Sequence, residues 1–180
     1  MNIHFSVSLL PVFLSLALPA ALHAQSIPNP SFEADNSDSV TGWTVFPANR
    51  IGLDSAGGLF ADNGTIPAGT NVAFLQSVSF SGTSLSTTIT GLTSGTSYTV
   101  RFRSNARSTG AIPSGSISLN GGAPAGIVRE PVGGTNRYHW NSAVFTATST
   151  TAALEIYNST QADSALLVDD FSIELTPGIF

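Results

Sequence analysis

The fold is decided by the stretch Leu166–Leu175, which reads LLVDDFSIEL. Its second half alternates apolar and polar residues, a pattern typical of a β-strand with one face on a hydrophobic core. Two adjacent carboxylates, Asp169 and Asp170, interrupt this pattern, and acids so close to a core need a partner. A third carboxylate, Glu33, ends the proline-stiffened segment Asn29–Glu33 near the other end of the chain. Because a β-sandwich commonly brings its first and last strands together, we expect the two ends to meet over a bound cation.

The first 24 residues differ in composition from the rest of the chain. A run from Phe5 to Leu22 is rich in Leu, Val, Phe and Ala, and a short segment ending in Ala24 follows it. This pattern predicts a secretory signal peptide over residues 1–24, with an uncleaved anchor helix as the alternative. We therefore expect a protein that is secreted or held at the cell surface, with no membrane contact after cleavage.

Charge and cysteine content narrow the classes of partner. The chain has a formal net charge of -5, and it contains neither lysine nor cysteine. An acidic chain is repelled by nucleic acid and by anionic membrane surfaces, so we expect neither as a partner. Without cysteine no disulfide stabilises the exported domain, and a bound calcium ion is a stabiliser that suits an acidic extracellular protein.

Beyond the signal segment, short runs of β-branched and aromatic residues alternate with polar ones, and turn residues separate the runs. In Tyr98–Arg103 the aromatic and aliphatic residues share one face, and the threonine and arginines share the other. We expect one all-β domain over residues 25–175, an antiparallel β-sandwich of the jelly-roll type, followed by a tail over residues 176–180. The predicted strands are Trp43–Phe46, Asn71–Ser77, Ser84–Thr90, Ser97–Ser104, Gly115–Leu119, Gly126–Arg129, His139–Ala147, Ala152–Asn158 and Leu166–Leu175.

Taken in order, several short pieces of the chain resemble the galactose-binding-like jelly rolls, which include families of carbohydrate-binding modules. In modules of this kind a structural calcium ion commonly lies between the start of the first strand and the last strand. The resemblance therefore implies calcium ligands at Glu33 and at Asp169 or Asp170. The alternative is that the two aspartates accept hydrogen bonds from loop amides or face water. The pieces that carry the resemblance are Asn29–Glu33, Gly42–Trp43, Ser97–Phe102, Phe145–Thr148 and Leu167–Phe171.

A saccharide site needs an aromatic plane and a few planar polar groups. Trp140 follows a glycine-rich loop and offers such a plane, although a partly buried tryptophan at a strand start is the alternative; Trp43 is expected in the core. Neighbouring loops carry arginine and asparagine side chains, which suit vicinal hydroxyls or a carboxylate. The alternatives are an ion pair between Arg107 and Glu130 and a hydrogen bond from His139 to a backbone carbonyl. The candidate ligand-binding residues are Asn105, Arg107, Glu130, Tyr138, His139 and Trp140.

The sequence offers little for catalysis. It contains no Gly-x-Ser-x-Gly or His-Glu-x-x-His motif, and nothing in the spacing selects the carboxylate pair Glu130 and Glu155 for glycoside hydrolysis. We therefore expect no enzyme activity and no catalytic residue. The resemblance implies a carbohydrate-binding module whose partner is a polysaccharide or a cell-surface glycan. The alternative is a structural or adhesive surface module that binds no sugar.

Overall fold

The computed structural model describes Met1 and residues 24–35, 40–78, 82–128, 132–133 and 135–178. The predicted signal peptide lies almost wholly outside the described residues, and so do Ile179 and Phe180 at the end of the predicted tail. Within the described residues, no helix is long and apolar enough to span a membrane. The strands are β1 Thr44–Phe46, β2 Ile51–Ser55, β3 Asn71–Ser77, β4 Thr83–Ile89, β5 Ser97–Ala106, β6 Gly115–Leu119, β7 Ala125–Gly126, β8 His139–Thr146, β9 Ala152–Asn158 and β10 Ser164–Leu175.

The strands form two antiparallel five-stranded sheets. The first sheet has the order β1-β4-β9-β6-β7, and the second has the order β2-β3-β10-β5-β8. Alternation along each strand sends one set of side chains into the core and the other set outward. On β9, for example, Leu154 and Ile156 are fully buried in the core, whereas Glu155 and Tyr157 lie on the outer face. The antiparallel all-β sandwich expected from the sequence is confirmed.

Most predicted strands differ from the observed ones by one or two residues, and β3, β6 and β9 have the predicted bounds. The strand β2 was not predicted, because its Gly52 and Asp54 are residues that strands disfavour. It forms because all five of its residues pair with β3. The strand β7 ends at Gly126, and Arg129, the end predicted for it, lies outside the described residues.

A β-bulge interrupts the pairing of β10 with β5 between Asp169 and Ser172. Asp170 occupies the bulge with a φ of 56°, in the left-handed region that aspartate tolerates better than most residues. The extra residue restores the alternation, so that Phe171 returns to the core. Without this bulge, the second half of β10 would turn its apolar side chains to the wrong face.

The first and last segments of the described domain meet at this bulge. The Phe171 N–H donates a hydrogen bond to the Pro30 carbonyl at 2.9 Å. The rings of Phe32, Trp43 and Phe171 pack on one another, with centroids 5.1 to 6.0 Å apart. Trp43 is buried and its Nε1 donates to the Pro28 carbonyl at 2.9 Å, so it belongs to the core, as expected. Aromatic packing therefore closes the sandwich around the N-terminal segment.

Candidate functional site

Glu33 binds the loop that precedes β3. Its Oε1 accepts hydrogen bonds from the backbone N–H groups of Thr70 at 2.9 Å and Asn71 at 2.7 Å, and its Oε2 accepts one from the Thr70 hydroxyl at 3.0 Å. Gly69 makes room for the carboxylate, because a Cβ at this position would lie 2.3 Å from Glu33 Cδ. Burial raises the pKa of Glu33, but the three hydrogen bonds outweigh this effect and hold the pKa below its usual value.

Asp169 reaches the same loop from β10. Its side chain is fully buried; Oδ2 accepts a hydrogen bond from the Ala68 N–H at 3.0 Å, and Oδ1 accepts one from the Asp170 N–H at 2.7 Å. Burial raises the pKa of Asp169 to about 7, and the charges of Asp170 and Glu33 act in the same direction, against the two hydrogen bonds. The carboxylates of Glu33 and Asp169 therefore both contact the short segment from Ala68 to Asn71.

Asp170, the third predicted calcium ligand, faces a different partner. Its Oδ2 lies 3.8 Å from Nε of Arg103. Among the residues that the structure describes, no group of three His, Cys, Asp or Glu side chains is arranged to hold a metal ion. A calcium ion takes hard oxygen ligands, including backbone carbonyls and waters. Glu33 and Asp169 bring two such carboxylates to one loop, so their donor chemistry fits calcium, whereas Asp170 lies beside Arg103.

The predicted ligand residue Asn105 lies inside the fold. Its side chain is fully buried; Nδ2 donates hydrogen bonds to the carbonyls of Asn63 at 2.7 Å and Asn136 at 3.1 Å, and Oδ1 accepts one from the Ala106 N–H at 2.9 Å. Asn63 is also buried, donates to the Ala106 carbonyl at 2.9 Å and accepts from the Asn136 N–H at 2.5 Å. The amide of Asn105 thus fastens two loops to β5, and the buried side chain is not exposed to a ligand.

Arg107, another predicted ligand residue, is also buried. Its Nη2 lies 2.5 Å from Oδ2 of Asp163, and its Nε donates to the Thr109 carbonyl at 2.7 Å. The hydrogen bond from Arg107 lowers the pKa of Asp163, against the effect of burial. Arg107 therefore forms a structural ion pair, with Asp163. Glu130, the partner that the sequence suggested for this pair, lies outside the described residues.

The other three predicted ligand residues, Tyr138, His139 and Trp140, lie together at the start of β8. Trp140 is 51% exposed, and the Arg103 guanidinium carbon lies 3.8 Å from the centroid of its ring. His139 is exposed next to it. Tyr138 is only 7% exposed, burial raises its pKa, and its hydroxyl is buried without a hydrogen-bond partner. A cleft of about 360 Å³, the Arg103 cleft, is lined by Thr65, Ile66, Pro67, Arg103, Arg137 and Tyr138.

Aromatic and hydroxyl side chains form a row across the outer face of the first sheet. Phe46 on β1 pairs with Ser84 on β4, Ser84 pairs with Tyr157 on β9, and Tyr157 pairs with Ser116 on β6. Phe46 is 69% exposed, and Tyr157 is half-buried. A second cleft of about 260 Å³, the Tyr157 cleft, is lined by Phe46, Gly82, Thr83, Ser84, Tyr157, Asn158 and Ser159.

The hydroxyl groups of Ser84 and Tyr157 are the polar groups on the outer face of this cleft. Thr83 is 2% exposed and pairs with Asn158, whose side chain reaches the Leu75 carbonyl of the opposite sheet, so the Thr83 hydroxyl lies on the inner face, buried without a hydrogen-bond partner. A hydrogen bond with Glu155, the next outward residue on β9, raises the pKa of Tyr157 to about 12, and burial adds to the effect. The phenol therefore keeps its proton at neutral pH. The cleft combines two aromatic rings with neutral hydroxyl groups.

The sequence-based reasoning missed Phe46 and Tyr157 as site residues. The alternation in Ala152–Asn158 already indicates that Tyr157 lies opposite the core residues of its strand. Phe46 is more than 100 residues earlier in the chain, and only the strand order β1-β4-β9 brings it into the same row. No local pattern in the sequence carries that order.

No protein-family model and no curated protein matches the chain, but solved structures do. A family 61 carbohydrate-binding module in complex with β-1,4-galactotriose is 17% identical, with a TM-score of 0.56 over 83% of this chain and 97% of that one. The CBM22-1 xylan-binding domain of Paenibacillus barcinonensis Xyn10C is 15% identical, with a TM-score of 0.51 over 82% of this chain and 92% of that one. The enzymatically active domain of a bacteriophage CBA120 tailspike protein is 12% identical, with a TM-score of 0.60 over 84% of this chain and 21% of that one.

Matches at these identities show the fold alone. Two of the three are carbohydrate-binding modules that this chain matches over nearly their whole length, and the third is part of a much larger enzyme. The structural neighbours thus agree with the resemblance that the sequence pieces carry: the chain has the jelly-roll sandwich fold of carbohydrate-binding modules.

Proposed function

We propose that this protein is a non-catalytic carbohydrate-binding module that takes a neutral polysaccharide in the Tyr157 cleft. The observation that carries the proposal is the row of Phe46, Ser84 and Tyr157, which sets two aromatic rings and a serine hydroxyl around a cleft on the outer face of the first sheet. Saccharide rings present an apolar face to an aromatic plane and hydroxyl groups to polar side chains.

The lining of the cleft favours a neutral sugar. Among the described residues, the cleft is lined by no charged side chain, and its polar groups are hydroxyls and the Asn158 residue. The Asn158 amide is itself used within the fold, because it donates to the Leu75 carbonyl at 3.0 Å. The hydroxyl group of Ser84 is left to exchange hydrogen bonds with sugar hydroxyls. The neighbours that bind β-1,4-galactotriose and xylan support neutral chains as the first ligands to test.

The absence of catalysis is part of the same proposal. Glycoside hydrolysis requires two carboxylates on either side of the scissile bond. Glu155 is the carboxylate nearest along the strand, and it is already in a hydrogen bond with Tyr157. Among the described residues that line the cleft there is no carboxylate and no histidine. A binding module needs neither.

The proposal includes a structural calcium ion. Glu33 and Asp169 would hold it, with water molecules as further oxygen ligands. A divalent cation would stabilise the ionised form of the buried Asp169, whose pKa burial raises to about 7. Its role would be to join the N-terminal segment to the last strand, away from the Tyr157 cleft.

Export also belongs to the proposal, on the basis of the signal peptide predicted over residues 1–24. The competing function is a structural or adhesive surface module that binds no sugar. Two aromatic residues beside a cleft favour the carbohydrate-binding function, because saccharide rings pack on aromatic side chains.

Retention of the protein on an array of neutral polysaccharides, among them β-1,4-galactan and xylan, tests the proposal. We expect the wild-type protein to be retained by at least one of them, and the variant Phe46→Ala to be retained less. Leu59→Ala is the matched control, because Leu59 is 76% exposed and lies outside the cleft. Retention of neither protein on any glycan would support the structural or adhesive alternative.

A further inference from the structure

The Arg103 cleft lies on the opposite sheet from the Tyr157 cleft, and two of its lining side chains carry unsatisfied polar atoms. The hydroxyl of Tyr138 is buried without a hydrogen-bond partner, and so is Nε of Arg103. Buried polar groups in folded proteins are nearly always hydrogen-bonded, so each exception needs an explanation. Two exceptions beside one cleft mark it as a place where the fold leaves hydrogen-bond donors unused.

Two arginines, Arg103 and Arg137, line this cleft. Neighbouring arginines are tightly paired, since Arg101 lies 2.8 Å from Glu174 and Arg107 lies 2.5 Å from Asp163. Arg103, by contrast, has an ion-pair partner only at 3.8 Å, and within the described part of the chain Arg137 has no carboxylate within ion-pair distance. The cleft therefore presents cationic groups that lack close partners.

An exposed aromatic ring stands beside these cations. Trp140 pairs with Arg103 across β8 and β5, and the guanidinium covers the ring at 3.8 Å from its centroid. This contact holds the indole in place by a cation–π interaction, while half of its surface stays open to solvent. A fixed, half-open indole beside a guanidinium matches a sugar ring that bears an acidic group.

We propose that the Arg103 cleft is a second saccharide site, specific for a hexuronate residue of an acidic polysaccharide. The hexuronate carboxylate pairs with the guanidinium groups of Arg103 and Arg137, and its ring packs on Trp140. The site is independent of the Tyr157 cleft, which lies on the other sheet and takes neutral sugar. The net charge of -5 opposes non-specific binding of a polyanion, so uronate binding requires a local site.

Affinity electrophoresis at 0.15 M salt of the whole protein through gels that contain polygalacturonate tests the proposal. The comparison gels contain fully methyl-esterified polygalacturonate, which lacks the charge, and dextran sulfate, which has charge without a carboxylate. We expect retardation by polygalacturonate alone. Equal retardation by the esterified polymer or by dextran sulfate, or no retardation in any gel, would overturn the proposal.

Variants locate the binding. Arg137→Gln and Trp140→Ala change exposed side chains, and we expect each to weaken polygalacturonate binding by about tenfold or more, the loss expected for one charge-assisted contact. Arg101→Gln is the matched control, because it removes the same charge from the same outer face at a residue already paired with Glu174. If Arg101→Gln loses as much affinity for polygalacturonate as Arg137→Gln, the loss is due to net charge alone, which would contradict a local site. Tyr157→Ala should leave polygalacturonate binding unchanged, which separates this site from the neutral one.

Discussion

Tyr157 and Phe46 lie on either side of Ser84 in one row across three paired strands of the first sheet. The two rings come from β9 and β1, so the site depends on β4 to hold them at a fixed spacing. Because both flanking strands pair with β4 in register, the row is part of the scaffold and needs no loop movement to form. A preformed row of this kind reduces the entropy lost when a rigid polysaccharide binds.

Thr83 offers a test that separates stability from binding. Replacing it by valine keeps the shape of the side chain and removes a buried hydroxyl that has no hydrogen-bond partner. We expect Thr83→Val to raise the free energy of unfolding by about 1 kcal/mol, measured by urea denaturation. We expect its affinity for neutral glycan to equal that of the wild type, because the hydroxyl lies on the inner face of β4. A less stable variant, or one that binds glycan more weakly, would contradict this placement of the hydroxyl.

Calcium removal tests whether a calcium ion joins the N-terminal segment to β10. We expect a chelator to lower the melting temperature and added calcium to restore it, because a ligand that binds only the folded state stabilises it. Asp169→Asn should lose this response. Asp170→Asn should keep it, since Asp170 faces Arg103. A calcium response that survives Asp169→Asn would contradict the assignment of the ligand.

The bulge at Asp170 predicts a backbone effect that is separate from calcium. Asp170 has a φ of 56°, which glycine adopts freely and β-branched residues resist. We expect Asp170→Val to lower the free energy of unfolding by about 1–2 kcal/mol relative to Asp170→Gly in chelator. Both variants lose the carboxylate, so their difference reports the backbone alone. Equal stability of the two would mean that the left-handed conformation is not required.

The ion pair of Arg107 and Asp163 predicts how stability depends on pH. Arg107 lowers the pKa of Asp163 in the folded state, so the pair stabilises the fold above the unfolded pKa and loses its effect as pH falls below about 4. We expect Asp163→Asn to cost about 1 kcal/mol at pH 7, a modest value because Asp163 is more than half exposed. The cost should shrink at pH 3. A pH-independent difference between wild type and variant would contradict this role.

Local patterns predicted the strands well because alternation and turn residues act over a few positions. The last strand, Leu166–Leu175, was identified from its own residues, and so was the need of Asp169 and Asp170 for a partner. The pairing of Phe171 with Pro30 confirms that the ends meet. The calcium ion proposed between Glu33 and Asp169 stays a prediction.

The ligand residues were harder to predict, because sequence shows residue type but not burial. Asn105 and Arg107 have side chains that suit sugar hydroxyls, and the fold uses both internally. The side chain of an arginine or asparagine on a loop often donates its hydrogen bonds to backbone carbonyls of the fold, since the polar groups of loops must be satisfied. Such a side chain is then not available to a ligand. Tyr157 and Phe46 escaped notice because their common row arises from strand order, which no single segment encodes.

Titration calorimetry with β-1,4-galactan and xylan oligosaccharides tests the central claim most directly, with wild type, Tyr157→Ala and the control Leu59→Ala compared. We predict that the wild type and Leu59→Ala bind at least one of the two chains with equal affinity. Tyr157→Ala should bind it at least about tenfold more weakly, which corresponds to about 1.4 kcal/mol, while its melting temperature stays close to that of the wild type. Equal affinity of Tyr157→Ala and the wild type, or no binding of either chain by the wild type, would contradict the account.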